Sequence, residues 1–314
     1  MASSSAADYH PAVRDDPFDS APLPASVVAI GNFDGVHRGH RVVLEALFSA
    51  SARLSAPSCV YTFDPAPTAV VAPERHQPRI QTLANRIRCL RAAGVDHVVV
   101  ERFTREFSRY SAERFVGEVL LARLGARALV VGHDFRFGSM RAGDAGAIRR
   151  LAPEMEVIEV AAFVEGAEAI SSSRVRKLIA GGEVEAAAAL LGRPVTVSGQ
   201  VVHGDARGRT IGFPTANVDV DEELRPGNGV YAVRARLGDG RVVNGVANFG
   251  TRPTVDGSRY AAEVHLLEID EDLYGQPLEV ALLHRLREER RFGSVAELVT
   301  QIRRDVAAAR AFLR

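Results

Sequence analysis

A single lysine, Lys177, stands in a chain of 314 residues whose basic side chains are otherwise all arginine or histidine. That scarcity excludes a Walker A loop, which needs a Gly-Lys pair, so any ATP chemistry must rest on arginine, histidine, magnesium and backbone N–H groups. Cysteine is almost as rare. Cys59 and Cys89 form no metal or redox spacing and read as small core residues. No apolar run approaches the ~18 residues that span a bilayer, and the N-terminus lacks the basic-then-apolar order of a secretory signal. The expectation is a cytoplasmic protein with no membrane partner. A formal net charge of zero with no dense basic stripe argues against a nucleic-acid partner. No Gly-x-Gly-x-x-Gly follows the first strand, which disfavours a dinucleotide-dependent oxidoreductase.

What is present points to two domains, since 314 residues at 46% hydrophobic content suffice for two cores. Residues 1–25 are rich in Ala, Ser, Asp and Pro without periodicity and read as a mobile extension. From 26 to 191, strand-like runs (Ser26 to Ile30, Cys59 to Phe63, His97 to Val100, Ala128 to Val131, Val157 to Val160) alternate with helices (Thr82 to Ala93, Ala112 to Leu124). Such alternation predicts an open parallel sheet with helices on both faces and ligands at the carboxyl ends of its strands. After Gly192-Arg193-Pro194 the pattern changes. From 192 to 314, five short runs (Val195 to His203, Gly229 to Leu237, Arg241 to Ala247, Ala262 to Ile269, Leu278 to Leu286) predict a small antiparallel barrel. A helix from Val295 to Phe312 follows, with Ser294 and Glu297 as a capping box. Arg285, Arg287, Arg290 and Arg291 read as a solvated charge cluster.

The stretch Gly31-Asn32-Phe33-Asp34-Gly35-Val36-His37-Arg38-Gly39-His40 joins the first strand to a helix. Unpaired N–H groups at such a helix start attract phosphate oxygens. His37 and His40 lie three apart, so both imidazoles can face one pocket and donate to charge building on a phosphate. A second glycine-rich stretch runs from Gly204 to Asn217. Gly204, Gly208 and Gly212 permit close backbone approach to a polyphosphate, and the Thr215 hydroxyl and Asn217 amide are hard oxygen ligands suited to Mg²⁺. Asp64 and the segment Gly132-His133-Asp134-Phe135-Arg136-Phe137-Gly138 lie at further strand ends. Phe135 and Phe137 alternate in a segment that reads as extended, where core packing is the default.

The decapeptide resembles the HxGH signature of the nucleotidyltransferase superfamily, as worded in bacterial bifunctional riboflavin kinase/FMN adenylyltransferases. Gly212-Phe213-Pro214-Thr215-Ala216-Asn217 is similar to a riboflavin kinase signature, and Gly229-Val230-Tyr231, Asn248 to Thr254, Glu263 to Leu266 and Asp272-Leu273-Tyr274-Gly275 follow in order. The resemblance covers nearly everything from Val27 to Arg314. It implies a Rossmann-like α/β nucleotidyltransferase domain followed by an all-β riboflavin kinase barrel with a C-terminal helix. It implies Glu263 as base for the kinase and His37 and His40 as catalytic residues for adenylyl transfer. Gly31, Phe33, Asp34, Gly35 and Gly39 would border the nucleotide phosphates. So would Ser171, Ser172, Ser173 and Arg176, in a stretch similar to the family's Ile-Ser-Ser-Thr/Ser-x-x-Arg motif. Asp64, Asp134, Phe135 and Phe137 would lie near the flavin. Riboflavin, FMN, FAD and ATP are the implied small-molecule partners, Mg²⁺ the implied metal, and self-association as a homo-oligomer stays open. One departure stands out: Asp64-Pro65-Ala66-Pro67 has alanine where the family has histidine. It motivates the alternative of a kinase with a weak adenylyltransferase half; a non-catalytic flavin-binding regulator is the alternative of another class.

Overall fold

The computed structural model describes residues 22–314 apart from 24, 166–167, 205–206, 222, 255–256 and 270. Nearly all of the expected extension, and Asp205 and Ala206 of the glycine-rich stretch, lie outside the described residues. The chain packs as two compact units. One comprises residues up to Gln77 with Leu83–Ile170, the other Pro78–Thr82 with Ser171–Arg314.

In the first unit, β1 (Ser26–Ile30), α1 (Arg38–Leu54), β2 (Ser58–Asp64), α2 (Pro67–Val71), α3 (Leu83–Ala92) and β3 (His97–Arg102) come in turn. Then follow α4 (Ala112–Arg114), continued as a π-helix over Phe115–Arg123, β4 (Ala126–Gly132), α5 (Ala145–Leu151) and β5 (Glu156–Val160). The hairpin β6 (Val164–Glu165) and β7 (Glu168–Ala169) ends the unit. The first five strands form a parallel sheet in the order β3-β2-β1-β4-β5. Period-two alternation builds both faces: Val27 and Ala29 join a core with Leu44, Leu47 and Leu90, whereas Val28 and Ile30 join one with Phe115, Leu120 and Ile148. Since β1 leads outward to β2 on one side and borders β4 on the other, the strand order reverses there. The crevice beyond the carboxyl ends of β1 and β4 is the topological switch point.

The second unit begins with α6 (Ser172–Gly181) and α7 (Val184–Leu191), followed by β8 (Val195–Val202), α8 (Arg207–Thr210) and β9 (Ala216–Val220). It continues through β10 (Gly229–Leu237), β11 (Val242–Thr254), β12 (Gly257–Leu266), β13 (Pro277–Arg287) and α9 (Val295–Phe312). The strands close an antiparallel barrel in the order β10-β11-β12-β9-β8-β13. The sixth strand, β9, carries Asn217 and was not among the five expected. The boundary expected at 191/192 falls inside this unit, because α6 and α7 bond to barrel residues. Gly227 N–H donates to the Ile179 carbonyl at 2.9 Å, the backbone N–H of Arg285 donates to Glu185 Oε1 at 3.3 Å, and His284 pairs with the same carboxylate.

Ser294 caps α9 by accepting from Glu297 N–H at 3.2 Å, while the Glu297 carboxylate accepts from Gly293 N–H at 3.0 Å, one residue ahead of the usual capping-box donor. The arginine cluster differs from expectation more sharply. Arg287 grips buried Asp305 of α9 through Nε at 3.0 Å and Nη2 at 2.9 Å, and Gln301 Nε2 donates to the same carboxylate at 2.7 Å. Asp305→Ala strands that guanidinium. Because Arg287 keeps 20% of its side chain in water, the expected loss of unfolding free energy in chemical denaturation is about 3 kcal/mol, the low end for a broken buried pair.

Candidate active sites

At the switch point, Gly31 N–H stays on the sheet by donating to the Tyr61 carbonyl at 3.2 Å, and the chain then turns sharply. Phe33, Gly35 and Val36 take φ values of 47°, 84° and 39°. Glycine adopts such angles freely, but a β-branched valine does so only under constraint. Phe33, Asp34, Val36 and His37 are all buried. His37 caps α1, its Nδ1 accepting from His40 N–H at 3.2 Å, and the two imidazoles stack with centroids 3.6 Å apart and planes 13° apart. The three-residue spacing therefore brings the rings face to face. With Nδ1 accepting, the neutral His37 ring carries its proton on Nε2, a donor suited to an anionic oxygen beside the positive end of α1. A Cβ at Gly39 would lie 3.1 Å from His37 Nδ1 and 3.1 Å from the Ile170 carbonyl, so close packing is what calls for glycine there. The Phe33 ring belongs to the apolar core and rests 5.1 Å from His40. Its contribution is to support that imidazole.

Beyond β4, Asp134 is exposed, and the segment with Phe135 and Phe137 is a loop in which the two rings stack at 5.5 Å and 15°. The expected alternation fails because Phe137 leaves the sheet to pair with Gly143 and packs on Phe115 at 5.4 Å. A Cβ at Gly143 would meet the Phe137 ring at 2.6 Å. Asp64 ends β2 with Oδ1 3.5 Å from buried Arg86, an arginine that sequence reasoning passed over. Ala66 begins α2 with no side-chain cap. Ser171, Ser172, Ser173 and Arg176 belong to the second unit: Ser171 caps α6 by accepting from Arg174 N–H at 3.3 Å, and Arg176 Nε donates to the Pro78 carbonyl at 2.9 Å.

In the barrel, the register sets Glu263 of β12 opposite Asn217 of β9 on one side and Asn248 of β11 on the other. Directly opposed residues on antiparallel strands share a face, so Asn248, Glu263 and Asn217 form one polar row. Val264 and Ala262 point the other way, into the core. The expected glycines act for different reasons. A Cβ at Gly204 would lie 2.2 Å from Asn217 Nδ2, and one at Gly208 would lie 2.3 Å from the Phe213 carbonyl and 3.1 Å from Thr215 Oγ1, whereas Gly212 is needed for its φ of 86°. His265, to which sequence reasoning gave no role, holds the Gly-Phe-Pro-Thr turn to β12: its Nδ1 donates to the Pro214 carbonyl at 2.7 Å and its ring meets Phe213 edge-on. Thr215 also lines a cleft with Asp272, Leu273 and Tyr274, bringing two separate sequence motifs onto one surface. Among the described residues no cluster of three or more His, Cys, Asp or Glu side chains could hold a metal by itself. A hydroxyl and an amide beside one carboxylate, against glycines with no Cβ, instead fit Mg²⁺ that takes most of its shell from phosphates and water.

The stacked histidine pair at the α/β switch point and the polar row around Glu263 beside a glycine loop on the barrel fit a nucleotide-dependent transferase with two candidate centres. Comparison with known proteins agrees in both halves. Residues 20–174 match the FAD synthetase family and residues 191–313 the riboflavin kinase family. The bifunctional riboflavin kinase/FMN adenylyltransferase of Escherichia coli K12 is 44% identical over 295 residues, 93% of this chain and 94% of that protein. The protein so described from Haemophilus influenzae is 38% identical over 292 residues, 92% and 95% of the two chains. A Streptococcus pneumoniae crystal structure described as a macrolide-efflux protein superposes with a TM-score of 0.86 at 33% identity, covering 94% of this chain and 97% of that one. No helix among the described residues is long and apolar enough to cross a membrane. The chain belongs to the bifunctional riboflavin kinase/FMN adenylyltransferase family.

Proposed function

We infer that the two transfers are divided between the two units, each drawing on its own ATP. The chain is a bifunctional enzyme that phosphorylates riboflavin to FMN and adenylylates FMN to FAD. In the barrel, Glu263 takes the proton of the ribityl 5′-hydroxyl as that oxygen attacks the γ-phosphorus of ATP, whose bond to the β,γ-bridging oxygen breaks to release ADP. Thr215 and Asn217 would hold Mg²⁺, which when bound neutralises phosphate charge. Asn248 and Asn217 flank the base, and His265 keeps the Thr215 turn in place. In the first unit, the FMN phosphate attacks the α-phosphorus of ATP and pyrophosphate leaves. His37 Nε2–H, His40 and the start of α1 donate to the charge that builds on that phosphate. Asp64, Asp134 and Phe135 of the same unit serve the flavin. Both nucleophiles already belong to the flavin, so no covalent enzyme intermediate forms. A cytoplasmic location without nucleic-acid or membrane partners belongs to the same proposal. The observation that carries the reading is the complete row Asn248–Glu263–Asn217 on the barrel together with the stacked His37–His40 pair at the switch point.

Incubation of the purified chain with riboflavin, ATP and Mg²⁺, with flavins resolved over time, tests it. FMN followed by FAD is expected, and withholding Mg²⁺ stops both steps. FMN alone would favour the kinase with a weak partner domain, and no product a regulatory flavin-binding protein. Ala66→His restores the family's imidazole and is expected to raise the rate of FAD formation from supplied FMN severalfold, about the contribution of one phosphate contact. An unchanged rate would show that the site works without it. Gly204→Ala drives a methyl into the Asn217 amide and is expected to slow FMN formation more than about tenfold while FAD formation from supplied FMN persists.

A further inference from the structure

Arg86 rises from α3 into the end of the parallel sheet, where only 3% of it is exposed. Its Nη1 donates to the Asn32 carbonyl at 2.9 Å and its Nη2 to the Phe63 carbonyl at 3.0 Å, with Asp64 Oδ1 3.5 Å away. Thr62, fully buried on β2, donates its hydroxyl to the same Asn32 carbonyl at 3.1 Å. One planar guanidinium thus ties together the carboxyl ends of β1 and β2, and a hydroxyl doubles the grip on one of them. The gripped carbonyl stands directly before Phe33, the first of the positive-φ residues in the turn leading to His37. Non-glycine residues hold such angles only where their surroundings over-determine them. Burying a guanidinium is costly, and an apolar side chain of similar volume fills space at no such cost. Packing therefore does not account for arginine at this position, whereas fixing two carbonyls and a carboxylate at once does.

We propose that Arg86, assisted by Thr62, is a positioning residue for adenylyl transfer. It sets the Asn32–Val36 turn so that His37, His40 and the start of α1 meet the phosphate without rearranging, and it orients Asp64 from the neighbouring strand. This rests on the assignment of adenylyl transfer to the His37–His40 turn. A displacement of about 1 Å at such a turn lowers a transfer rate about a hundredfold, with little change in substrate affinity. Lysine, a point charge without the fork, does not replace the bridge between two carbonyls.

The test uses the full-length chain with supplied FMN, ATP and Mg²⁺, and measures riboflavin phosphorylation in the same preparations. Arg86→Ala is expected to lose about a hundredfold in kcat for FAD formation with both KM values within about threefold. Added guanidinium ion recovers part of that loss. Arg86→Lys stays impaired, and Thr62→Val shows a smaller fall of the same kind. The kinase rate is unchanged in all of them. Wild-type kcat in a folded Arg86→Ala chain would overturn the proposal, as would a loss carried by KM alone. If Arg86→Ala does not fold, Thr62→Val decides: its kcat falls as proposed, or its unaltered kcat overturns the assignment. A wild-type chain that makes no FAD would remove the underlying reading, whereas FAD formation left intact in the variants removes only the positioning role.

Discussion

Glu263→Gln is expected to reduce conversion of riboflavin to FMN by about 10²–10⁴-fold, the range for loss of a general base. The substitution keeps the shape of the side chain and its place on β12 between Asn217 and Asn248, but removes the carboxylate proposed to accept the hydroxyl proton. Because the neighbouring Ala262 and Val264 face the core, the barrel keeps its packing. FAD formation from supplied FMN should continue at the wild-type rate, since the histidine pair belongs to the other unit. Parallel assays started from riboflavin and from FMN measure both quantities. FMN formation that survives in the variant would remove Glu263 as the base, and loss of both activities would contradict separate sites.

His37→Asn has the opposite signature. FAD formation from supplied FMN should fall about 10²–10³-fold, as expected when a donor to developing phosphate charge is lost, while riboflavin phosphorylation continues. Asparagine is chosen because His37 has two duties. Its Nδ1 caps α1 by accepting from His40 N–H, and an asparagine oxygen can take over that bond, whereas nothing replaces the Nε2–H donor. His37→Ala loses both and should in addition cost about 1 kcal/mol of stability. Equal catalytic losses with unequal unfolding midpoints would separate the two duties. Near-wild-type FAD formation in His37→Asn would reduce the imidazole to a cap.

The elements that the sequence displays most plainly are those with strong local patterning. β1 begins and ends at Ser26 and Ile30 as expected, because an apolar run is bounded by a glycine turn, and α9 occupies Val295–Phe312 because Ser294 marks its start. Strand β9 escaped notice since its alternation, from Ala216 to Val220, is short and begins inside a motif read for its polar groups. β11 runs on to Thr254, past the expected end at Ala247, because Asn248 and Gly250 lack strand character locally and are held by pairing with β12. Candidate site residues were legible where spacing on one element decides, as for His37 and His40. The row formed by Asn217, Asn248 and Glu263 depends on the register of three strands far apart in sequence. Arg86 was hidden for a related reason: an arginine in an amphipathic helix reads as solvent-facing, and only the tertiary fold shows the carbonyls that it meets. His265 likewise has its partner, Pro214, fifty-one residues away.

In the proposed division of labour, one chain moves two different phosphorus atoms of ATP, one in each unit. Label followed from ATP into flavin tests this most directly. With riboflavin and γ-labelled ATP, label should enter FMN first and then FAD. With supplied FMN and α-labelled ATP, it should enter FAD alone, while the γ label of a parallel reaction leaves in pyrophosphate. Entry of α label into FMN, or FAD formed without α label, would contradict the account.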